Sequence, residues 1–215
     1  ADCIVLQLVR FGAAQATERE DGPTPDTVFT GAEACRAAIN WKLNGLYAGR
    51  RDLYMRMPFD DSSRVYSDDN TSRIHYLLSR QVAVSAGEYL YRQHEASATH
   101  RFDLRRLDFL AANRSLRSLL ERYQANTDIL TACEEHCWRN FVGLYLQFRR
   151  QWATFTPQEH QLIRLSFKES LQAMRPERLP CALRWSPSWL FVRPFSLFVA
   201  YRQVLSVLKR ILKPF

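Results

Sequence analysis

A long stretch with almost no helix-breaking residues constrains the fold of this chain most. Between Thr71 and Met174, leucine and aromatic residues recur every three to four positions, and Pro157 is the only proline in that stretch. This periodicity places apolar side chains on one face of successive helices. The whole chain of 215 residues has seven Gly and nine Pro, too few for the frequent turns of a β-sandwich or barrel. The prediction is an all-α fold, an irregular bundle of about four to six helices.

Local signals indicate where two of these helices begin. Thr30 is followed three residues later by Glu33, a capping box that predicts a helix running to about Tyr47. Thr156 and Glu159 repeat the pattern, with a proline at the first helical position between them. We expect both threonines to be N-caps.

Composition divides the chain into three segments. Residues 1–70 are predicted to form an N-terminal segment with one helix and acidic loops, and residues 71–175 a helical core. Residues 176–215 form a basic, aromatic arm in which four prolines prevent a long helix until after Pro194. We expect the arm to be extended at first and to end in an amphipathic helix.

The positive charge of the chain is unevenly distributed. Its formal net charge is +8, and only four of the 30 basic residues are lysines. Residues 1–70 hold 8 basic and 11 acidic side chains, a net charge of −3, whereas residues 71–215 hold 22 basic and 11 acidic side chains, a net charge of +11. From Arg178 onward there is no acidic residue. Such a segment repels itself unless an anionic partner lies against it.

The C-terminal arm is the first candidate binding region. Aromatic rings interleaved with arginine and followed by lysine are typical of a segment that lies at a membrane interface, on anionic lipid. The alternative is an arm packed into neighbouring subunits, whose carboxylates meet the arginines. The residues predicted to contact anionic lipid or a partner protein are Arg184, Trp185, Trp189, Arg193, Arg202, Lys209, Arg210 and Lys213.

A second basic region predicts a contact with RNA or phosphate. Its members are Arg101, Arg105, Arg106, Arg114 and Arg117. The alternative is a solvated helix face on which these arginines pair with nearby acidic residues. The run Phe109 to Arg122, together with Leu77-Leu78-Ser79, Gln81-Val82, Gly87 and His94, resembles the helical hairpin of the family of the fifteenth protein of the small ribosomal subunit. The resemblance implies RNA binding, and no site residue is transferred from it.

Motifs for catalysis or metal binding are missing from the sequence. It has no glycine-rich phosphate loop, no dinucleotide fingerprint and no His-Glu-x-x-His pair. Cys133, His136 and Cys137 share a helix face, but a structural zinc site needs a fourth ligand from a second motif. The paired carboxylates Asp60-Asp61 and Asp68-Asp69 are interpreted as parts of a solvated loop. The prediction is therefore no catalytic residue, no metal and no enzyme, with a helical enzyme whose site is assembled in space as a further alternative.

Together these features predict a non-catalytic accessory subunit of a mitochondrial membrane complex, such as a respiratory-chain or ATP-synthase assembly. The first residue is Ala1 and residues 4–16 contain Arg10 and no acid, which is compatible with an upstream cleaved presequence. We expect localisation at the inner membrane, other subunits as partners, and no cofactor apart from cardiolipin bound by the arm. A mitochondrial ribosomal protein that binds rRNA is the alternative function.

Overall fold

The computed structural model describes residues 1–12, 15–19, 21–93, 102–186 and 195–211. Its strands are β1 (Cys3–Gly12), β2 (Gln15–Arg19), β3 (Val28–Thr30), β4 (Tyr47–Gly49) and β5 (Gln81–Gln93). Its α-helices are α1 (Gly31–Ile39), α2 (Arg51–Arg56), α3 (Asp68–Leu78), α4 (Asp108–Arg122), α5 (Thr127–Arg150), α6 (Pro157–Gln172), α7 (Cys181–Arg184) and α8 (Phe195–Ile211).

The prediction of an all-α fold is wrong, because the N-terminal half contains a five-stranded mixed sheet. The strand order is β2-β1-β5-β3, and β4 also pairs with β1. Strand β1 runs parallel to β5 and antiparallel to β2 and β4. The connection between the two parallel strands contains β2, β3 and β4 as well as the helices α1 to α3. The protein is therefore an α/β fold with a helical C-terminal half.

The residue patterns of the strand segments are also compatible with a helix or a loop, so the sequence did not identify them as strands. In β1 the side chains of Cys3, Val5, Gln7 and Val9 are buried and alternate with more exposed ones, the two-residue period of a strand. Strand β5 lies inside the stretch interpreted as helical, because a short apolar run cannot be assigned by periodicity alone. Its β-branched and aromatic residues favour the extended conformation. Residues 81–93, part of the region that resembles a ribosomal helical hairpin, form this strand and not a helix.

Both predicted capping boxes are confirmed. The Glu33 amide donates to Thr30 Oγ1 at 3.3 Å, and the Thr30 amide donates to Glu33 Oε2 at 2.8 Å. The same reciprocal pair joins Thr156 and Glu159, at 3.3 and 2.7 Å. Each pair satisfies two amides that the first helical turn leaves without partners. The first helix nevertheless ends at Ile39, well before the predicted end near Tyr47.

Two hydrophobic clusters stabilise the described residues. The first lies between the sheet and helices α1, α3, α4 and α5, and its fully buried members include Cys35, Ile39 and Ile74. The second is aromatic and lies among α5, α6 and α8, around Phe141, Phe167 and other rings. Because Phe198 of α8 is completely buried in the second cluster, the C-terminal helix is part of the packed body and not a detached arm.

Candidate functional site

A cleft of about 640 Å³ lies beside the parallel strands. It is lined by residues of β1, by the loop 40–46 that connects α1 to β4, and by the N-terminal turn of α3. Its charged side chains are those of Arg10, Asp21, Lys42, Asp68 and Asp69, and Gln7, Trp41 and Asn44 also line it. The cleft thus combines an indole ring with three carboxylates, two cations and two amides.

Loop 40–46 is fixed by hydrogen bonds from both sides. The Asn44 side chain donates to the Leu6 carbonyl of β1 at 3.0 Å and accepts from the Leu46 amide at 2.9 Å. The Asn44 carbonyl accepts from the Tyr76 hydroxyl of α3 at 2.7 Å. At Gly45 a Cβ atom would lie 2.9 Å from Ser72 Oγ, so glycine permits the loop to approach α3 closely. This wall of the cleft is therefore preformed.

Trp41 occupies an unusual position at the end of α1. Its φ angle is 59°, a left-handed conformation that bulky residues rarely adopt. The Trp41 amide donates to the Ala38 carbonyl at 3.2 Å and the Lys42 amide to the Ala37 carbonyl at 2.8 Å, the two bonds of a Schellman motif. Glycine is the usual residue at this position, but this chain has a tryptophan there, and its indole is 59% exposed. The chain holds a large apolar ring at the cleft in spite of local strain.

A buried arginine lies against this ring. The Arg73 guanidinium is 5.0 Å from the centre of the Trp41 ring, within cation–π range. Arg73 is only 4% exposed, and among the described residues its Nη2 atom has no hydrogen-bond partner. The His136 ring lies 6.1 Å from Trp41. Burial, reinforced by the charge of Arg73, lowers the pKa of His136 to about 3, so the positive charge here belongs to Arg73 at neutral pH.

The two aspartate pairs differ sharply in their surroundings. The Asp60 carboxylate is occupied, because it accepts from the Ser62 amide at 3.1 Å, from Asn70 at 2.8 Å and from Ser115 at 2.9 Å. Asp69 is half-buried in the cleft, and its carboxylate receives no hydrogen bond within the described parts of the chain. Burial raises the pKa of Asp69, Arg73 opposes that effect and Asp68 adds to it. Asp69 is therefore a desolvated carboxylate with free acceptor positions.

The buried histidines are already engaged in hydrogen bonds. His75 Nδ1 accepts from the Tyr47 hydroxyl at 2.5 Å, and its Nε2 donates to the Met57 carbonyl at 2.7 Å. His136 Nε2 accepts from the Asn140 amide at 3.0 Å. Neither histidine lines the cleft, and burial lowers the pKa of both. Asp69 is therefore a better candidate for a proton acceptor than either histidine.

The predicted RNA-contacting arginines do not share one exposed surface. Arg105 pairs with Asp103, with its Nη2 2.6 Å from Oδ2, and Arg106 lies 5.7 Å from the Phe102 ring. Arg114 has a buried Nη1 atom, and Arg117 is only 6% exposed. Arg101 lies outside the described residues. The structure thus separates the described members of this set into surface and core positions.

The predicted residues of the C-terminal arm fall into two groups. Arg184 donates to the Leu179 carbonyl at 3.2 Å, Trp185 is 71% exposed, and Arg202 is half-buried on α8. Lys209 and Arg210 belong to the last turn of that helix. The remaining three, Trp189, Arg193 and Lys213, lie outside the described residues. Within the described ranges, no helix has the length and apolar character needed to cross a membrane.

The cysteine-histidine cluster of α5 is buried in the core. Cys133 Sγ and Cys137 Sγ are 3.9 Å apart, and the Cys137 thiol donates to the Asn113 carbonyl at 3.8 Å. In the part of the chain that the structure describes, no three His, Cys, Asp or Glu side chains are arranged to hold a metal ion. These residues contribute to packing between α4 and α5.

Comparison with known proteins finds no relative. No protein-family model, no curated protein and no solved structure matches the chain. The function of the candidate site is therefore inferred only from the positions and chemistry of its residues.

The sequence contains one signal of the cleft, the carboxylate pair of Asp68 and Asp69. The prediction that this pair belongs to a solvated loop is wrong, because both residues form the first turn of α3. Trp41 and Asn44 had no distinguishing local pattern. Their importance follows from the chain reversal after α1, which brings loop 40–46 to the start of α3.

Proposed function

We propose that the cleft binds a ligand with several hydroxyl groups, such as a saccharide, and that Asp69 acts there as a general base. The observation that carries the proposal is the environment of Asp69, a half-buried carboxylate that lines the cleft without receiving a hydrogen bond from the described residues. Structural carboxylates in partly buried positions are normally paired, as Asp60 is. A carboxylate left unpaired in a cleft is available to accept a proton.

The lining of the cleft supports a polyhydroxyl ligand. The carboxylates of Asp21, Asp68 and Asp69 line the same cleft as the exposed Trp41 ring. A saccharide has hydroxyl groups that donate to carboxylates, and an apolar C–H face that packs on an indole. Both features are required of a site that fixes a ligand by a few polar groups and one apolar surface. Arg10 and Lys42 balance most of the charge of the three lining carboxylates, so a neutral ligand fits better than a strongly charged one.

The chemistry follows from the position of the carboxylate. A ligand hydroxyl gives its proton to Asp69, and its oxygen keeps the electron pair. That pair forms a bond to an electrophilic atom of a second, activated substrate, whose leaving group departs with the pair of the broken bond. The net reaction is transfer of a group to oxygen. Because burial raises the pKa of Asp69, that pKa lies closer to neutral pH than the pKa of an ordinary aspartate does.

Ligand-observed NMR with a panel of free mono- and disaccharides tests the proposal. We expect at least one sugar to bind, and Trp41→Gly to weaken its binding about tenfold, the equivalent of about 1.4 kcal/mol of lost contact. Asp69→Asn should keep most of the binding and lower group transfer to the bound sugar by a factor of about 10² to 10⁴. Asp61→Asn removes an exposed aspartate outside the cleft lining and serves as the matched control.

The proposal fails if no sugar in the panel binds, or if Trp41→Gly binds sugars as well as the wild type. It also fails in its catalytic part if Asp69→Asn and Asp61→Asn turn over substrate equally. These outcomes separate the ligand from the reaction, because Trp41 tests the first and Asp69 the second.

The role of a non-catalytic accessory subunit of a mitochondrial membrane complex stays a prediction, as does the alternative of rRNA binding. The net charge of +11 on residues 71–215 supports an anionic partner in either case. Purification of the tagged protein from mitochondria, followed by identification of stable partners, tests both. Recovery of respiratory or ATP-synthase subunits would favour the first, and crosslinked ribosomal RNA the second.

A further inference from the structure

Helix α8 packs on the protein through one face. Phe198 is completely buried, and its ring lies 5.5 Å from Phe141 and 5.0 Å from Tyr145. Phe195 and Val199 are partly buried in the same aromatic cluster. At about 100° per residue, these positions fall on one side of the helix. The orientation of α8 about its own axis is therefore fixed by the core.

The opposite face of α8 is apolar and exposed. Its members, named the α8 stripe, are Leu197, Ala200, Val204, Val207 and Leu208. The leucines and valines are 47%, 57%, 53% and 44% exposed in chain order. They follow the spacing of three and four that puts residues on one helix face, and no polar residue interrupts them. A soluble surface helix normally places its charged residues there, so this face requires an apolar partner.

The C-terminal part of the sequence, which contains the stripe, is cationic. The chain has no acidic residue after Glu177, and its basic residues from there on are Arg178, Arg184, Arg193, Arg202, Lys209, Arg210 and Lys213. A groove of about 570 Å³ beside α8 adds Arg149 and Arg164 from the neighbouring helices. It is bounded by Ser196 and Gln203, which lie about a quarter-turn from the centre of the stripe. The groove therefore places two arginines beside α8, about a quarter-turn away from the stripe.

We propose that the α8 stripe lies in the headgroup and acyl boundary of an anionic membrane, with the helix parallel to the surface. Because the face around Phe198 is held by the protein core, α8 can present only its other face, which favours a flat orientation over a spanning one. The stripe contains aliphatic side chains only, whereas the centres of protein interfaces are rich in Tyr, Trp and Arg. Apolar burial and the attraction of cations to anionic headgroups then act together.

Flotation with vesicles tests this proposal on the full-length chain. Two compositions are used: phosphatidylcholine alone, and phosphatidylcholine mixed with phosphatidylserine. We expect binding to the anionic vesicles only, and a decrease in binding as salt is raised, because surface attraction is screened within about 10 Å at 0.1 M ionic strength. The variant Val204→Asp/Leu208→Asp should bind at least about tenfold less, since it removes two buried aliphatic groups and adds charge to the apolar face.

The matched control is Leu162→Asp/Leu165→Asp, which places the same charges at two exposed leucines of α6, 48% and 53% exposed. It should float as the wild type does, and circular dichroism should show both variants folded. Equal flotation of wild type and the α8 variant would overturn the proposal. The proposal would also be overturned if the wild-type protein did not bind vesicles but formed dimers in sedimentation, and the α8 variant did not form them. The stripe would then be an interface between two copies. Neither result depends on sugar binding in the cleft.

Discussion

Trp41 combines backbone strain with an exposed ring, and the two contributions can be separated by mutation. A left-handed conformation costs a residue with a Cβ atom about 1–2 kcal/mol relative to glycine. Trp41→Gly and Trp41→Ala both remove the ring and its contact with Arg73, but only the glycine variant relieves the strain. We therefore expect Trp41→Gly to be more stable than Trp41→Ala by about 1 kcal/mol in urea unfolding. Equal stabilities would show that position 41 is not left-handed in solution.

Asp69 should lower the stability of the protein at neutral pH. Burial raises the pKa of its carboxyl above the usual 3.8, so the folded chain keeps this proton at a higher pH than the unfolded chain does. Ionisation of Asp69 therefore opposes folding as the pH rises above the ordinary pKa, and the cost is complete above the raised pKa. Asp69→Asn should increase the free energy of unfolding at pH 7 by less than about 2 kcal/mol.

Thermal unfolding measured between acidic and neutral pH checks this expectation. The advantage of Asp69→Asn should shrink as the pH falls through the raised pKa toward the ordinary value, because the wild-type carboxyl is then protonated in both states. Asp61→Asn, at an exposed position, should show no such pH-dependent difference. A stability loss in Asp69→Asn at pH 7 would mean that the ionised carboxylate has a stabilising partner.

At the residue scale, the sequence predicted caps better than it predicted site residues. A cap depends on side chains within one helical turn, so the capping roles of Thr30 and Glu33 can be predicted without knowledge of the fold. The role of Asp69 depends on Gly45 and Trp41, which are distant in sequence and come together only through the reversal after α1. The burial of Arg117 against Glu134 could not be predicted from the sequence either, because the same charged residues occur on solvated and on packed helix faces.

Helices α4 and α5 are joined by a buried ion pair. Arg117 donates to Glu134 at 2.9 and 3.1 Å, and Glu134 also accepts from the Arg175 amide beyond α6 at 2.8 Å. Glu134→Ala leaves the arginine unpaired in the core, so we expect a loss of about 3–5 kcal/mol in the free energy of unfolding. Arg117→Met/Glu134→Leu removes both charges and should lose less than the single variant, since only the Arg175 amide then lacks a partner.

Glu135→Ala is the control for this pair, because Glu135 forms its ion pair with Arg139, whose side chain is 73% exposed. Exposed pairs are worth about 1 kcal/mol or less, so the control should be close to the wild type in urea unfolding. A double variant less stable than Glu134→Ala would contradict the assignment of the loss to an unpaired buried charge.

At the element scale, the long helices of the C-terminal half were predictable, and the sheet was not. Helices α5 and α6 carry apolar residues with helical spacing over many turns, so their pattern is unambiguous. The parallel pairing of β1 with β5 joins residues almost eighty positions apart, and no local pattern specifies such a partner. The short strands β3 and β4 have only three residues each, too few to show a period.

At the scale of the whole molecule, two hydrophobic clusters support two different candidate surfaces. Strand β1, loop 40–46 and the first turn of α3 line the cleft around Trp41 and Asp69. The aromatic cluster orients α8 so that its apolar stripe faces outward. Composition predicted the cationic C-terminal region, because charge is additive along the chain. It could not predict the cleft, since that surface exists only after loop 40–46 packs against α3.

The most direct test of the cleft as a binding site is backbone amide NMR during titration with the sugar that binds most tightly in the panel. We expect the largest shifts to cluster in residues 41–46 and 68–71, the Trp41 indole N–H signal to move with them, and the α8 signals to stay unchanged. Shifts spread over the surface, or concentrated on α4 to α8, would contradict the proposed site.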